Sequence, residues 1–474
     1  MTYKEARVYL DEMSKYGSVL GLDTIRGLLR ELGNPQDDLK FIHIAGTNGK
    51  GSVLAYTSTI LSEAGYRTGW YVSPTVVSYL EKIQVDGIWI TEEDFAELTE
   101  KVKEAIARME AAGENLPTVF EAETAIAFLY FRKRNCDLVV LETGLGGATD
   151  ATNIIKNTVC AVFATISEDH LGVIGNNLEE IAETKSGIIK PGCQVVSARQ
   201  KKSVKEVLQH KIQSVILESR AQQVSQQQEN KQKVNERNVF TEAEPEKMQI
   251  RKEDLYGIEF SYKEFTEMKS PLAGQCQIEN LAAALEVIRC LQRLGYEISE
   301  EQVRSGLSKT RWPGRFTLLS EHPLFLTDGA HNEDAALKLK ETILRYLQGK
   351  RLTLIMGVFK DKEYEKITAI LCPLAEKVYT VNLPNEGRTL SAEELAACAK
   401  RWCDKTEAVG DIRSAVERAV WEAEQDLKQE TEHGENGDTT TGSCAEKEER
   451  AVLACGSLSY LGEVSRMIEE IKLQ

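Results

Sequence analysis

Phe41-Ile42-His43-Ile44-Ala45-Gly46-Thr47-Asn48-Gly49-Lys50-Gly51-Ser52 reads as a buried strand running into a glycine-rich, lysine-bearing turn, and the apolar run Val53 to Leu61 continues it as a helix. This arrangement makes an anion site. Glycines let backbone N–H groups curl toward a ligand, the helix N-terminus adds partial positive charge, and a lysine reaches terminal phosphates. Gly46, Thr47, Asn48, Gly49, Lys50 and Gly51 are therefore expected to hold a triphosphate, with Ser52 placed to ligate Mg²⁺. The spacing departs from the standard phosphate loop, because the first glycine is closer to the lysine and Gly51 separates Lys50 from the hydroxyl. The flanking strand and helix favour nucleotide binding over a plain glycine turn.

Length and composition bound the rest. The 474 residues, 42% of them hydrophobic, suffice for two or three domains. Acidic residues outnumber basic ones by 74 to 58, a net charge of −16 that argues against a broad nucleic-acid-binding face while leaving room for a local basic pocket. The ten cysteines are scattered singly, as reduced packing residues are. No apolar run approaches membrane-spanning length, and the chain starts directly with the charged helix pattern Met1-Thr2-Tyr3-Lys4-Glu5-Ala6-Arg7. The expectation is a cytoplasmic monomer that uses neither nucleic acid nor membrane.

Short apolar runs alternate with helical patterns: Lys40–Ile44 then Ser52–Ala64, Thr68–Val72, Phe120–Arg134 then Asp137–Glu142, and Thr158–Ile166. Parallel βα units follow. A second alternation begins at Leu324–Thr327 and ends at Ala451–Cys455. The predicted fold class is α/β: a large, mostly parallel phosphate-loop-type sheet domain over 1–298 and a smaller Rossmann-like α/β domain over 316–474. The stretches 221–238, rich in Gln, Asn and Lys, and 424–450, acidic with Gly and Thr, are expected to be solvated insertions.

A second chemical cluster follows the second strand pattern. The apolar run Cys136–Thr143 carries Glu142 at its end, before Gly144-Leu145-Gly146-Gly147 and Asp150. A carboxylate at a strand's C-terminal end points to the ligand edge of an α/β sheet, where it would join Ser52 on Mg²⁺. Ala161–Ile166 similarly leads to Asp169-His170, and Lys185 lies among Ile181, Ile188 and Ile189, where partial desolvation would lower its pKa. Taken singly, Glu142, His170 and Lys185 read more simply as surface groups. What favours a site is that three successive strands each end in a candidate residue or motif: Ser52, Glu142 and His170.

These motifs together resemble the folylpolyglutamate synthase and dihydrofolate synthase family, a branch of the Mur-type ATP-dependent amide ligases. The resemblance runs nearly end to end: besides His43–Ser52 it takes in Ser73-Pro74, Thr118–Glu121, Leu141–Asn153, Asp169-His170, Lys185–Lys190, Gly274–Asn280, Trp312–Arg315, Asp328–Asn332, Asp361–Glu363 and Gly456–Leu458. It implies ATP phosphates on Lys50 and the 46–51 backbone, one Mg²⁺ on Ser52 and Glu142, and a second at His170 and Lys185. In the wider family that lysine is carbamylated. It further implies Asn280 at adenine, Arg315 at the phosphates, Asp328 at the ribose, His331 and Ser457 at L-glutamate, and Phe120 and Asp150 at a folate or dihydropteroate. The implied activity is ATP-dependent addition of glutamate to these acceptors through an acyl phosphate, with Lys50, Lys185, His170 and Arg315 as the catalytic set.

The chain departs from the family pattern at Thr75, Ala148, Thr149, Glu168, Thr184, Ser186 and Cys276. These changes spare the triphosphate and metal positions. A cell-wall Mur ligase and a degenerate nucleotide-binding homologue are the alternative readings.

Overall fold

The computed structural model describes residues 1–13, 21–225, 240–384, 387–435 and 450–473. β1 (Phe41–Ala45) is buried along its whole length, as expected of a central strand covered on both faces. Its alternate residues feed two cores: Phe41 packs with Phe128 and Tyr71, whereas Ile42 and Ile44 pack with Val53, Leu54 and Leu281.

Around β1 stand β2 (Thr68–Tyr71), β3 (Ile83–Val85), β4 (Ile88–Trp89), β5 (Leu138–Glu142), β6 (Thr158–Phe163), β7 (Gln194–Ser197) and β8 (Phe240–Glu242). The sheet order is β4-β3-β2-β5-β1-β6-β7-β8. All pairings are parallel except those of β3 with β2 and β4. β1 therefore sits where the winding changes direction, the place at which open α/β sheets bind ligands beyond their strands' C-terminal ends. A small antiparallel sheet of β9 (Met248–Asp254), β10 (Gly257–Tyr262) and β11 (Phe265–Ser270) completes this unit.

The second unit is a six-stranded sheet of β12 (Thr317–Glu321), β13 (Leu324–Asp328), β14 (Arg351–Met356), β15 (Lys377–Val381), β16 (Thr406–Gly410) and β17 (Arg450–Cys455). Its order is β12-β13-β17-β14-β15-β16, with only β12 antiparallel. The expected fold class, a large parallel sheet domain followed by a smaller α/β domain, is the one observed.

Three boundaries differ from the sequence reading. The helix Glu300–Lys309, beyond the expected end of the large domain at 298, packs into that domain's core through Val303 and Leu307. Gly306 lies so close to the helix Lys50–Glu63 that an added Cβ would stand 2.5 Å from the Ile60 Cα. Residues 221–225 continue the helix Lys202–Ser225, and 424–435 continue the helix Ile412–Glu435; the remainder of both expected insertions lies outside the described residues, apart from Arg450. Arg450 opens β17 and is buried, its Nε donating to Asp426 at 2.8 Å and its Nη1 to Thr353 Oγ1 at 2.8 Å. Composition misread these stretches because a polar helix stands on the packing of its first turns, here Ala415, Val416 and Ala419 in the second core.

Candidate active site at the domain junction

The phosphate loop leaves β1 and turns at Gly49, which caps the helix Lys50–Glu63 with φ +89°. Only glycine suits this place, since a Cβ would also fall 2.3 Å from Asn280 Oδ1. Part of the loop is already occupied: the amides of Thr47 and Asn48 both donate to the Thr165 carbonyl, at 2.8 and 3.2 Å, and Thr47 Oγ1 donates to the Ser167 carbonyl at 2.8 Å. The amides free for an anion are accordingly those of the helix's first turn, from Lys50 onward. Lys50 Nζ folds back on the carbonyls of Gly46 (3.2 Å) and Thr47 (3.3 Å), and stands 3.8 Å from Glu142 Oε1.

Gly46 through Ser52, Glu142, His170, Lys185, Asn280, Arg315, Asp328 and His331 all line one cavity. Ser52, Glu142 and His170, each at or beyond the end of a different strand of the large sheet, thus line a common space, with Ser52 Oγ accepting from Gln277 Nε2 at 3.4 Å. Phe120, Asp150 and Ser457 are not among its lining residues. Phe120 lies behind the wall, where a Cβ on Gly144 would touch its ring at 2.6 Å. Asp150 turns into its own loop, accepting from Leu145 N (2.7 Å), Thr152 N (3.0 Å) and Thr152 Oγ1 (2.6 Å). This carboxylate is committed to backbone instead of being presented to a ligand. Ser457 is likewise engaged as a helix cap, accepting from Ser459 N at 3.3 Å.

Electrostatics separates the polar groups of the cavity. Lys185 is 4% exposed, and burial together with the neighbouring Lys50 charge brings its amine down to about 7. Its Nζ donates to the Gly46 carbonyl at 3.0 Å. Burial raises the Glu142 carboxyl even with Lys50 and Arg315 opposing it. Burial also lowers His331 to about 4, with the Lys362 charge adding to the effect. His331 Nδ1 lies 2.7 Å from the Gly329 carbonyl, which can only accept, so Nδ1 carries the proton and Nε2 is left as an acceptor. His170 has φ +51°, its pKa is lowered chiefly by burial, and its Nε2 stands 3.8 Å from Asp169 Oδ2.

Ser52, 1% exposed, and Glu142 offer the hard oxygen ligands that suit a triphosphate-bound Mg²⁺. Among the described residues no group of three or more His, Cys, Asp or Glu side chains is placed to hold a metal ion.

The small domain reaches the phosphate loop directly. Asn48 Nδ2 donates to Asp334 Oδ2 at 2.8 Å and to Asn332 Oδ1 at 3.3 Å, at the N-terminus of the helix Glu333–Tyr346. Asp169 Oδ1 pairs with Lys362 at 3.3 Å, and Glu279 Oε2 with Lys338 at 2.9 Å. Asn332, Asp334, Lys338 and Lys362 were not singled out from sequence. Lys362 lies inside the quoted run Asp361–Glu363, whereas Lys338 reads as an ordinary helix-surface lysine, so only the fold shows that it faces the cavity.

Residues 44–288 match the Mur ligase middle domain, and residues 314–427 match the Mur ligase glutamate ligase domain. The chain is 34% identical over 383 residues to a dihydrofolate synthase/folylpolyglutamate synthase of Bacillus subtilis, covering 80% of this chain and 84% of that one. The chain belongs to the folylpolyglutamate synthase and dihydrofolate synthase family. Among solved structures it is similar to a folylpolyglutamate synthase from Thermotoga maritima (TM-score 0.77, 28% identity, 100% of this chain and 98% of that one). It is also similar to the Mycobacterium tuberculosis folylpolyglutamate synthase complexed with ADP and AMPPCP (TM-score 0.79, 25% identity, 98% of each chain). Family membership makes the chain an ATP-dependent ligase and favours the folate branch over the cell-wall Mur ligases. Among the described residues no helix is long and apolar enough to cross a membrane.

Proposed function

We propose that this chain adds L-glutamate to folates and also to dihydropteroate, using ATP to activate the acceptor's carboxylate. The observation that carries this reading is the shared cavity, lined by Lys50, Ser52, Glu142 and Lys185 of the first unit, by Arg315 at the junction, and by Asp328 and His331 of the second. Residues 1–309 supply the phosphate end and 316–474 the glutamate end.

An amide does not form spontaneously from a carboxylate and an amine in water, so the carboxylate oxygen first attacks the γ-phosphorus of ATP, giving an acyl phosphate and ADP. Lys50 and the first-turn amides of its helix offset the repulsion between the anionic nucleophile and the phosphate. Asn280, against the phosphate loop, and Asp328, beyond the hinge residue Arg315, lie toward the nucleoside. The glutamate α-amine then attacks the acyl carbon, loses a proton and expels phosphate. The glutamate reacts as its free amine, the unprotonated Nε2 of His331 would accept a hydrogen bond from one of its N–H groups, and the proton released on amide formation leaves with the phosphate. Mg²⁺ would be held by Ser52 and Glu142 and supplies charge neutralisation at the phosphates. The near-neutral amine of Lys185 suits addition of CO₂, which would make the carbamate oxygens a second ion needs. Closure of the two units over the cavity keeps water from the acyl phosphate.

The test offers purified protein ATP and L-glutamate with dihydropteroate, tetrahydrofolate or a nucleotide-linked muramoyl substrate, and weighs the products by mass spectrometry. Products heavier by one glutamyl residue from both pterins are expected. Turnover of the muramoyl substrate alone, or ATP binding without glutamate-dependent ADP release, would overturn the proposal.

A further inference from the structure

His43 lies on β1 three residues before Gly46, fully buried, and neither the phosphate site nor the metal residues use it. Its Nε2 stands 2.8 Å from Thr152 Oγ1. The Thr152 hydroxyl has a single proton and donates it to Asp150 Oδ1 at 2.6 Å. Thr152 can therefore only accept from the imidazole, which puts the ring proton on Nε2 and leaves Nδ1 a bare lone pair. That Nδ1 is buried and has no hydrogen-bond partner among the described residues. An unsatisfied ring nitrogen in a core is costly, so packing alone would be better served by an apolar side chain.

The other end of the relay is a wall of the cavity. Asp150 Oδ2 accepts from Leu145 N at 2.7 Å, and Gly144, Leu145 and Gly146 line the cavity beside Glu142. Gly144 lies against Phe120, and Gly147 against the Thr184 and Lys185 backbone, where an added Cβ would stand 2.6 Å from the Lys185 carbonyl oxygen. The phosphate loop is held by other bonds, those of Thr47 and Asn48 to Thr165 and Ser167.

We infer that His43 is a positioning residue for the acceptor substrate: through Thr152 and Asp150 it sets the backbone of residues 144–146, against which the pterin-bearing carboxylic acid lies, and it leaves ATP binding alone. This rests on the ligase reading, with the acceptor beside Glu142 on the side of the cavity lined by Gly144, Leu145 and Gly146. His43→Gln keeps an N–H three bonds from Cβ, as Nε2 is. His43→Leu removes the donor, and Thr152→Val removes the relay from its other end.

In the full-length protein, kcat and KM are measured for folate and for ATP, and binding of dihydropteroate and of a non-hydrolysable ATP analogue is titrated by fluorescence. His43→Leu and Thr152→Val are expected to raise KM and Kd for the pterins by about tenfold, with the ATP-analogue Kd within about twofold of the unsubstituted protein, and the double variant to be no worse than the poorer single one. His43→Gln should recover most of the loss. Equal weakening of ATP and pterin, failure of Gln to improve on Leu, or additive losses in the double variant would overturn the inference. If His43→Leu does not fold, the Thr152→Val and His43→Gln comparison decides. Absence of glutamate-dependent ADP release from the unsubstituted protein would remove the ligase reading, whereas the two binding titrations judge His43 independently of turnover.

Discussion

Lys50 and Lys185 are the same residue type in one cavity, and their surroundings give them different chemistry. Lys50 sits at a helix start within 3.8 Å of Glu142, and in the proposed reaction it is the cation that meets the terminal phosphates. Lys50→Ala is expected to lower glutamate-dependent ADP release by at least about 1000-fold, because the transfer depends on charge placed at the phosphates; unchanged turnover in a coupled ADP assay would refute the assignment. Lys185 is brought to about 7 by burial and by Lys50. Below that pH its amine is an ammonium that can neither take up CO₂ nor ligate an ion. Turnover should therefore fall on the acid side of pH 7 and level off above it, and ¹³C-bicarbonate should give a carbamate signal by NMR at pH 8. A flat profile from pH 6 to 9 with no such signal contradicts this. The same depression fixes a sign for stability: between the ordinary lysine value of 10.5 and about 7 the unfolded chain binds the proton and the folded one does not, so this group makes the ligand-free protein less stable as pH falls across that window.

At the scale of elements, the phosphate turn and the loop after β5 were legible because glycine, lysine and an apolar run leave few alternative backbones. What could not be read was which groups of those loops remain free. Thr47 and Asn48 spend their amides on Thr165, and Asp150 spends its carboxylate on Leu145 and Thr152; both depend on strands distant in sequence or on local turn geometry. Gly49 joins a left-handed backbone to contact with Asn280, so Gly49→Ala should weaken binding of an ATP analogue by about tenfold, an effect of somewhat more than 1 kcal/mol. Calorimetric titration reads this, and an unchanged Kd would show that the turn yields. The polar runs 221–238 and 424–450 were misread where helices extend into them, since composition registers the absence of core residues but not the support of an already packed helix.

Across the whole molecule, side-chain bonds tie the second unit to the first: Asn48 of the phosphate loop to Asp334, Asp169 to Lys362 and Glu279 to Lys338. Burial raises the Asp169 carboxyl, but the positive charge of Lys362, joined at the acid pH where this carboxyl titrates by protonated His170 and His331, outweighs it and holds it down at about 2. It stays ionised from pH 5 to 9, so interdomain distances measured by fluorescence energy transfer should not change over that range, whereas Lys362→Ala should lengthen or broaden them. A transition near pH 6 would point to a different latch. Within the small domain, Arg450 is buried against Asp426 and Thr353. Arg450→Ala is expected to destabilise by about 2 kcal/mol in urea unfolding, because it removes charge-assisted bonds to Asp426 and Thr353 and leaves Asp426 with Arg351 at 3.3 Å.

By itself the sequence determined the alternation of strands and helices, the glycine-lysine turn after the first core strand, and carboxylate, imidazole and amine groups after later ones, because periodicity and turn chemistry act within a few residues. Tertiary structure alone decided which of those groups share a cavity, that burial beside Lys50 lowers the Lys185 amine to about 7, that Asp150 faces its own loop, and that His43 reaches the loop after β5. These depend on desolvation and on contacts between residues tens to hundreds of positions apart, which no local pattern encodes.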